Sequence, residues 1–414
     1  LIRRFPVPGA QLAVRHRGTL VAAEAGLEHH PLRRPMRTTS TVPVGSITKA
    51  VTATLAMVLV AEGDLDLDAP VADLVPGLRG TAVGASVTPR MMLRHTGGLP
   101  SDPGEHCAHP RDLLAELRHA VPVCAPGTAF SYSNVGYALL GMIVEEVTGL
   151  SWREAVDGIV LRPLGVDAAF VGGPGPAPTA AGHAGVPGAG PRVVEQVLPP
   201  VLAPVGGLAL SARDLVAFGE AHLGKPGLLD VVTAAEMHTA GDAEPFGLAD
   251  AWALGLACFR GWNTEWLGHD GTADGTSCHL RIDKTGQTVV ALTTNAAGGA
   301  ALWRALQADL RKLGLHLPDY RAHGQRAQRV PVPDDCFGAY RNGALEYVVA
   351  RGDGEVCLTV DGEVHHDLVL YDCGTLSVPD PVTGRHTDCG RIVRDPGTGE
   401  VTALQIGGRL ARRA

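Results

Sequence analysis

The chain has 414 residues, 45% of them apolar and 19% charged, with a net charge of −8. That length exceeds one simple domain and suffices for a large core. The acidic balance and scattered arginines exclude the clustered positive charge that a nucleic-acid partner needs. No apolar run reaches the roughly 20 residues that span a bilayer, so no membrane partner is expected. The N-terminus carries no signal-peptide pattern, which points to a cytoplasmic protein, although a chain beginning at Leu1 leaves a removed leader open.

In chain order, residues 8 to 25 read as strands that belong in one antiparallel sheet with the later segment 277 to 295. Ser46-Ile47-Thr48-Lys49 then opens a helix. The run Ala50 to Glu62 holds Leu55, Met57, Leu59 and Ala61 without Gly or Pro, and Gly63 supplies a C-cap. Ser46 and Lys49 share one helical face, one turn apart. A serine hydroxyl needs a base to become a nucleophile, and a desolvated lysine can serve. The same four residues also describe a plain Ser cap followed by a surface Lys. A helical region is expected from about 50 to 160, packed on one side of the sheet.

Two later stretches weigh against the plain cap. Phe130-Ser131-Tyr132-Ser133-Asn134 precedes an apolar helix, Ala138 to Val147, closed by Thr148-Gly149. On a loop, Tyr132 and Asn134 can face the same way, a phenol for proton transfer and an amide for a carbonyl. Gly268-His269-Asp270-Gly271-Thr272 precedes two strand-like runs, and a strand edge there can offer an N–H to an oxyanion. Between them, the Gly/Pro/Ala-rich stretch 172 to 192 reads as a long loop, and Asp102 to Pro122 is another candidate for shaping an acyl pocket. Trp262 and Trp266 suit either core packing or an apolar wall for the acyl group.

Lys284-Thr285-Gly286 lies between the runs Cys278 to Asp283 and Gln287 to Thr294. It reads as a hairpin turn with Gly at a position of positive φ. From Gly314 to Pro333 the composition is that of a linker. Beyond it come short strand-like runs, Glu346 to Ala350, Glu355 to Val360, Asp367 to Tyr371, Arg391 to Arg394 and Val401 to Ile406, with Asp-Gly and Thr-Gly turns. A small antiparallel β-barrel is expected over 331–414, after a catalytic domain over 1–320. Arg409, Arg412 and Arg413 read as a solvated tail. The eight cysteines (107, 124, 258, 278, 336, 357, 373 and 389) and the pairs His29-His30 and His365-His366 match no familiar metal spacing. They are taken as structural or surface residues, with no metal and no cofactor.

With Ser46-x-x-Lys49, Tyr132-x-Asn134 and His269-x-Gly271 in this order, the chain resembles the serine β-lactamase and penicillin-binding-protein superfamily through most of residues 8 to 315. Leu93-Arg94-His95-Thr96-Gly97-Gly98-Leu99-Pro100 and Gly206-Gly207-Leu208-Ala209-Leu210-Ser211 add to the resemblance. It implies an α+β fold, an antiparallel sheet flanked by helices, followed by a lipocalin-like β-domain that Phe337-Gly338-Ala339-Tyr340 opens. It also implies an acylated Ser46, Lys49 assisting its deprotonation, and Tyr132 as base. Asn134, Asp270 and Gly271 would meet the substrate, and the N–H groups of Ser46 and Thr272 would form the oxyanion hole.

In the family's third motif, Lys-Thr-Gly, His269 takes the place of the Lys. An imidazole that is neutral near pH 7 weakens recognition of a β-lactam carboxylate. The His-x-Gly form is similar to D-aminopeptidases, family esterases and penicillin-binding-protein-type thioesterases that cyclise nonribosomal peptides. The expected function is acyl transfer through acyl-Ser46, foremost a thioesterase or transacylase that takes a small-molecule or peptidyl acyl group, carried as a thioester on a carrier protein. The alternative is an esterase or D-stereospecific peptidase. A β-lactamase or a non-catalytic penicillin-binding module ranks below both.

Overall fold

The computed structural model describes residues 1–414 except 174, 187–188, 225–226, 262–263, 319, 321–327, 353 and 381–383. Trp262 and much of the expected linker therefore lie outside the described residues.

The apolar run after Ser46 becomes the helix Ile47–Glu62, and Gly63 ends it in the left-handed region at φ 84°. Every residue from Ile47 to Leu59 is buried, so this is a core helix on all sides. Its neighbours are the helix Asn134–Thr148, closed by Gly149 at φ 68°, and the short helices Val156–Leu161, Ala203–Gly206 and Val231–Met237.

These helices rest on an eight-stranded antiparallel sheet. Its spatial order is Arg34–Pro35, Thr19–His29, Gly9–His16, Thr288–Thr294, Thr276–Asp283, Glu265–Ala273, Ala257–Arg260 and Ala251–Trp252. The N-terminal strand thus pairs with the distant strand 288–294, Leu12 opposite Leu292. Residues 288–294 are buried throughout because both sheet faces are covered. Val289 and Ala291 face the main helical core, whereas Val290 and Leu292 pack under the helix Gly299–Lys312 with Trp303 and Leu306. The expected loop at 172–192 is partly ordered, since Gly182–Val186 pairs with Ala189–Val194 as a hairpin.

Lys284 to Gln287 form the turn joining the strands that end at Asp283 and begin at Thr288. The left-handed residue there is Gln287 at φ 50°, not Gly286. Gly286 is small for another reason. A Cβ on it would lie 2.1 Å from Oδ2 of Asp283, whose other oxygen accepts from the N–H groups of Thr285 and Gly286.

The C-terminal residues build a second antiparallel sheet of ten strands, from Arg329–Val330 at one edge to Glu363–His365 at the other. Beyond the expected runs it includes Gly338–Asn342, Thr375–Pro379 and Arg409–Arg413. The antiparallel sheet is as expected, but the barrel is not closed among the described residues. The edge strands are two and three residues long, and Asp367 at φ 51° turns the chain between Glu363–His365 and Val369–Tyr371. One backbone bond, Leu368 N–H to the Val356 carbonyl at 2.8 Å, stands where a closing ladder would run. Arg409 to Arg413 are therefore a strand and not a tail: they pair with Val401–Ile406, Ala403 and Leu410 pack on Val123 and Cys124, and Arg412 and Arg413 are exposed as expected whereas Arg409 is half-buried.

Among the described residues no disulfide joins the eight cysteines, five of which are buried. Among the described residues no helix is long and apolar enough to cross a membrane.

Candidate active site

Ser46 stands at the entrance of the helix Ile47–Glu62, and its side chain does not cap that helix. Its Oγ instead meets Lys49 Nζ at 2.9 Å and the Tyr132 hydroxyl. The turn is held from the other side by the strand Glu265–Ala273. A Cβ on Gly271 would lie 1.9 Å from the Val44 carbonyl oxygen, and one on Gly45 would lie 2.1 Å from that of Thr272. Gly45 also takes φ 52°, which glycine tolerates best. Two glycines thus let the strand and the helix entrance touch backbone to backbone. The Ser46 N–H has no acceptor among the described residues, leaving it available at the start of the helix.

Lys49 is fully buried, with the Val205 carbonyl at 3.3 Å and the Tyr132 ring centroid at 5.0 Å from Nζ. Burial pushes its ammonium well below the ordinary lysine range, helped by the positive charge of Arg409. Burial moves the Tyr132 phenol the other way, up to about 12, against the opposing pull of Ser46 and Arg409. The pair therefore rests as a lysine that gives up its proton readily and a phenol that keeps its own.

His95 backs the tyrosine. Its ring stacks on Tyr132 at 4.2 Å between centroids, and its Nδ1 accepts the Ser133 N–H at 3.0 Å. Burial and the nearby Lys49 hold His95 well below its usual range, so the imidazole is neutral. Its backbone sits at φ 56°, a conformation that local packing must impose on a non-glycine residue.

His269 is buried on the strand Glu265–Ala273, with Nδ1 2.6 Å from the Asp270 carbonyl oxygen and Nε2 unpartnered. Burial, followed by Lys49, lowers it to about 4. The Asp270 carboxylate is taken by Arg281, at 2.6 and 3.0 Å, and by His279 at 2.8 Å. Arg281 is wholly buried, 3.7 Å from the Phe259 ring centroid, and its charge with that of His279 draws Asp270 well below the carboxylate range against the opposing effect of burial. Asp270 is thus bound to its own strand neighbours.

Ser46, Tyr132, His269, Asp270, Gly271 and Thr272 line one cavity of about 220 Å³. Lys49 lies behind Ser46. Asn134 is the first residue of its helix, and its Nδ2 donates to Asp102 Oδ1, while its own Oδ1 is buried and unpartnered. The sequence pattern did not disclose Leu248, Trp252 and Phe259, which line the apolar side of the cavity, or Arg409. Trp266, a candidate wall, is instead buried beside Phe259 in the strand register and does not line the cavity. Arg409 reaches in from the C-terminal sheet, its guanidinium 5.3 Å from the Tyr132 ring centroid and its Nε 3.9 Å from Asp102 Oδ2. Only the Gly407-Gly408 turn before it hints at a tight hairpin, and no local pattern says where that hairpin docks.

Among the described residues one group has donors spaced for a metal, Glu355, Cys357 and His366, and it belongs to the C-terminal sheet rather than the cavity lining.

This arrangement suits a serine hydrolase, and the comparisons support an enzyme of that kind. Residues 1–313 match the Beta-lactamase family model. Penicillin-binding protein 4 of Amycolatopsis lactamdurans is 34% identical over 343 residues, 76% of this chain and 88% of its own. The crystal structure of SurE superposes with a TM-score of 0.87 at 36% identity, covering 100% of this chain and 96% of SurE; SurE has also been solved with D-Leu. A D-stereospecific amidohydrolase from Streptomyces sp. gives a TM-score of 0.60 at 28% identity, over 71% of this chain and 91% of its own. The chain belongs to the β-lactamase family, within the serine β-lactamase and penicillin-binding-protein superfamily, and is an enzyme of the serine-hydrolase kind.

Proposed function

We propose that this protein is a penicillin-binding-protein-type thioesterase or transacylase that passes a peptidyl group from a thioester to an amine through acyl-Ser46. The observation that carries the reading is the make-up of the cavity. The position of the family's cationic third-motif Lys holds a neutral His269, while a permanent cation, Arg409, enters from the C-terminal sheet. With no cation at the third-motif position a β-lactam carboxylate loses the partner the family gives it, whereas a chain that extends toward the C-terminal sheet brings its carbonyl or carboxylate oxygens to the guanidinium. The likeness to SurE extends over the C-terminal sheet, and its solved form with D-Leu supports a D-configured residue at the reacting end.

In this reading the neutral Lys49 amine accepts the Ser46 proton as Oγ attacks the thioester carbonyl. The developing oxyanion is met by the N–H groups of Ser46 and Thr272. The Tyr132 phenol, protonated at rest, hands its proton to the departing sulfur and recovers one from the incoming amine, while Lys49 returns its proton to Ser46 Oγ as the acyl group leaves it. Asn134 turns its amide from Asp102 to the substrate carbonyl. Leu248, Trp252 and Phe259 cover the acyl group and limit water.

Hydrolysis is the second reading, an esterase or D-stereospecific peptidase, favoured by the likeness to the D-stereospecific amidohydrolase. A linear peptidyl thioester ending in a D-residue separates the two by mass spectrometry. Loss of thiol without added water, dependent on Ser46, supports aminolysis. A product heavier by one water supports hydrolysis. Turnover undiminished in Ser46→Ala overturns both.

A further inference from the structure

We propose that Asn342, the last residue of the strand Gly338–Asn342, is a positioning residue that sets Tyr132 and Asn134 against Ser46. The inference rests on the acyl-Ser46 reading.

Asn342 is 1% exposed and spends its side chain on three bonds at once. Its Oδ1 accepts the Ser101 N–H at 2.8 Å. Its Nδ2 donates to Ser131 Oγ at 3.2 Å and to the Leu410 carbonyl at 2.7 Å. Each partner leads to a site residue. The Ser101 carbonyl accepts the Asn134 N–H at 2.6 Å, and Ser101 is followed by Asp102, which holds the Asn134 amide. Ser131 precedes Tyr132, and its Oγ also accepts the Leu410 N–H at 3.2 Å. The Tyr132 N–H itself donates to the Gly408 carbonyl at 2.9 Å, one residue before Arg409.

A single buried amide thus ties together the loop of Ser101, the loop of Tyr132 and the hairpin that carries Arg409. Two of these belong to the catalytic part and one to the C-terminal sheet. The Tyr132 loop is irregular backbone without a ladder, and its other holds are the Ser131 N–H to the His95 carbonyl at 2.8 Å and the Ser133 N–H to His95 Nδ1 at 3.0 Å. Buried amide groups that satisfy several partners at once hold one geometry rather than several. Near-attack geometry is sensitive to shifts of about an ångström, which cost up to ~100-fold in rate. The C-terminal sheet is by this argument a structural part of the active site, not an appended module.

The test uses the full chain with Asn342→Leu, Asn342→Ala, Ser131→Ala and the double variant Asn342→Ala/Ser131→Ala. Each is assayed on a p-nitrophenyl ester, with active sites counted by a serine-directed phosphonate. The expected result is a kcat per titrated site lowered about 10- to 100-fold with KM within about threefold. The double variant should lose little more than the worse single one, because Asn342→Ala already removes the bond to Ser131. Rates per titrated site that equal the wild type, with only the fraction of titratable enzyme or the melting temperature lowered, would show a purely structural residue and overturn the inference. If Asn342→Leu does not fold, Ser131→Ala with full activity overturns it equally. A wild-type enzyme that is not acylated at Ser46 sinks the acyl-Ser46 reading itself, an outcome separate from the one in which the wild type reacts and the variants match it.

Discussion

At the scale of single residues, charge state decides the chemistry. His269 is held near 4 by burial, so the imidazole is neutral at physiological pH. It follows that kcat/KM should show no limb between about pH 5.5 and about pH 8 that His269→Asn removes; such a limb in the rate profile would contradict the neutral assignment. Tyr132→Phe removes the proton donor and should lower kcat by roughly 10²- to 10⁴-fold while Lys49 still supports some acylation, read by the rate of ester release. Arg409→Met tests the cation from the C-terminal sheet. It should raise KM for a peptidyl thioester about tenfold or more, and change turnover of a small p-nitrophenyl ester less, through the lost effect of the guanidinium on Lys49 and Tyr132 alone. Lys284, which completes a literal Lys-Thr-Gly, lies in the turn after Asp283. Asp283 pairs with Trp266, far along the ladder from the Thr272–Ser277 pair beside the nucleophile. Lys284→Ala should therefore leave turnover unchanged, measured on either substrate.

At the scale of elements, the contact between the strand Glu265–Ala273 and the entrance of the helix Ile47–Glu62 is the critical joint. Helix and strand meet through Gly45 and Gly271, with no room for a methyl group on either. Gly271→Ala must push the strand off Val44, which carries the Thr272 N–H away from Ser46. The expected cost is about 1–3 kcal/mol of stability, with acylation lost out of proportion to it, measured by thermal melting beside covalent labelling of Ser46. The same joint explains why Asp270 is committed to Arg281 and His279. That buried cluster, stacked against Phe259 and Trp303, pins the strand from its far side.

Across the whole molecule, one buried titratable pair sits beneath the catalytic helix. His222 Nδ1 and His238 Nε2 are 3.1 Å apart, and His222 Nε2 lies 3.4 Å from Thr54 Oγ1. Burial lowers His222 to about 3 and His238 to about 4, from 6.5. Between those values the unfolded chain binds more protons than the folded one. The stability these groups contribute is therefore present above about pH 6.5 and is lost as the pH falls through about 4 and 3. The melting temperature of the wild type should drop between about pH 7 and about pH 4, and His222→Leu should flatten that drop. Equal slopes in the two proteins would remove the pair from the acid sensitivity.

Much of this was legible in the chain itself. Three short motifs, whose order resembles the β-lactamase family, made Ser46, Lys49, Tyr132, Asn134 and the strand of His269 candidates, and the structure brings Ser46, Tyr132 and His269 to one cavity. The helix beginning after Ser46 and ending before Gly63, and the strands at Glu355–Val360 and Val401–Ile406, followed from the same local rules. What depended on the fold was every relation between segments remote in sequence. Arg409 looked like solvated charge because an arginine near a chain end carries no mark of the partner it will meet. Asn342 carried no pattern, since its three hydrogen bonds go to residues 68 to 241 positions away. The strands Thr375–Pro379 and Arg409–Arg413, and the open edge where a barrel was expected, were set by which neighbours were available to pair. Sequence alone determined which groups are candidates for the reaction, since the motifs that carry them are local. Tertiary structure alone decided their charge states and the cation and the amide that complete the site, because burial and long-range contact exist only once the chain has folded.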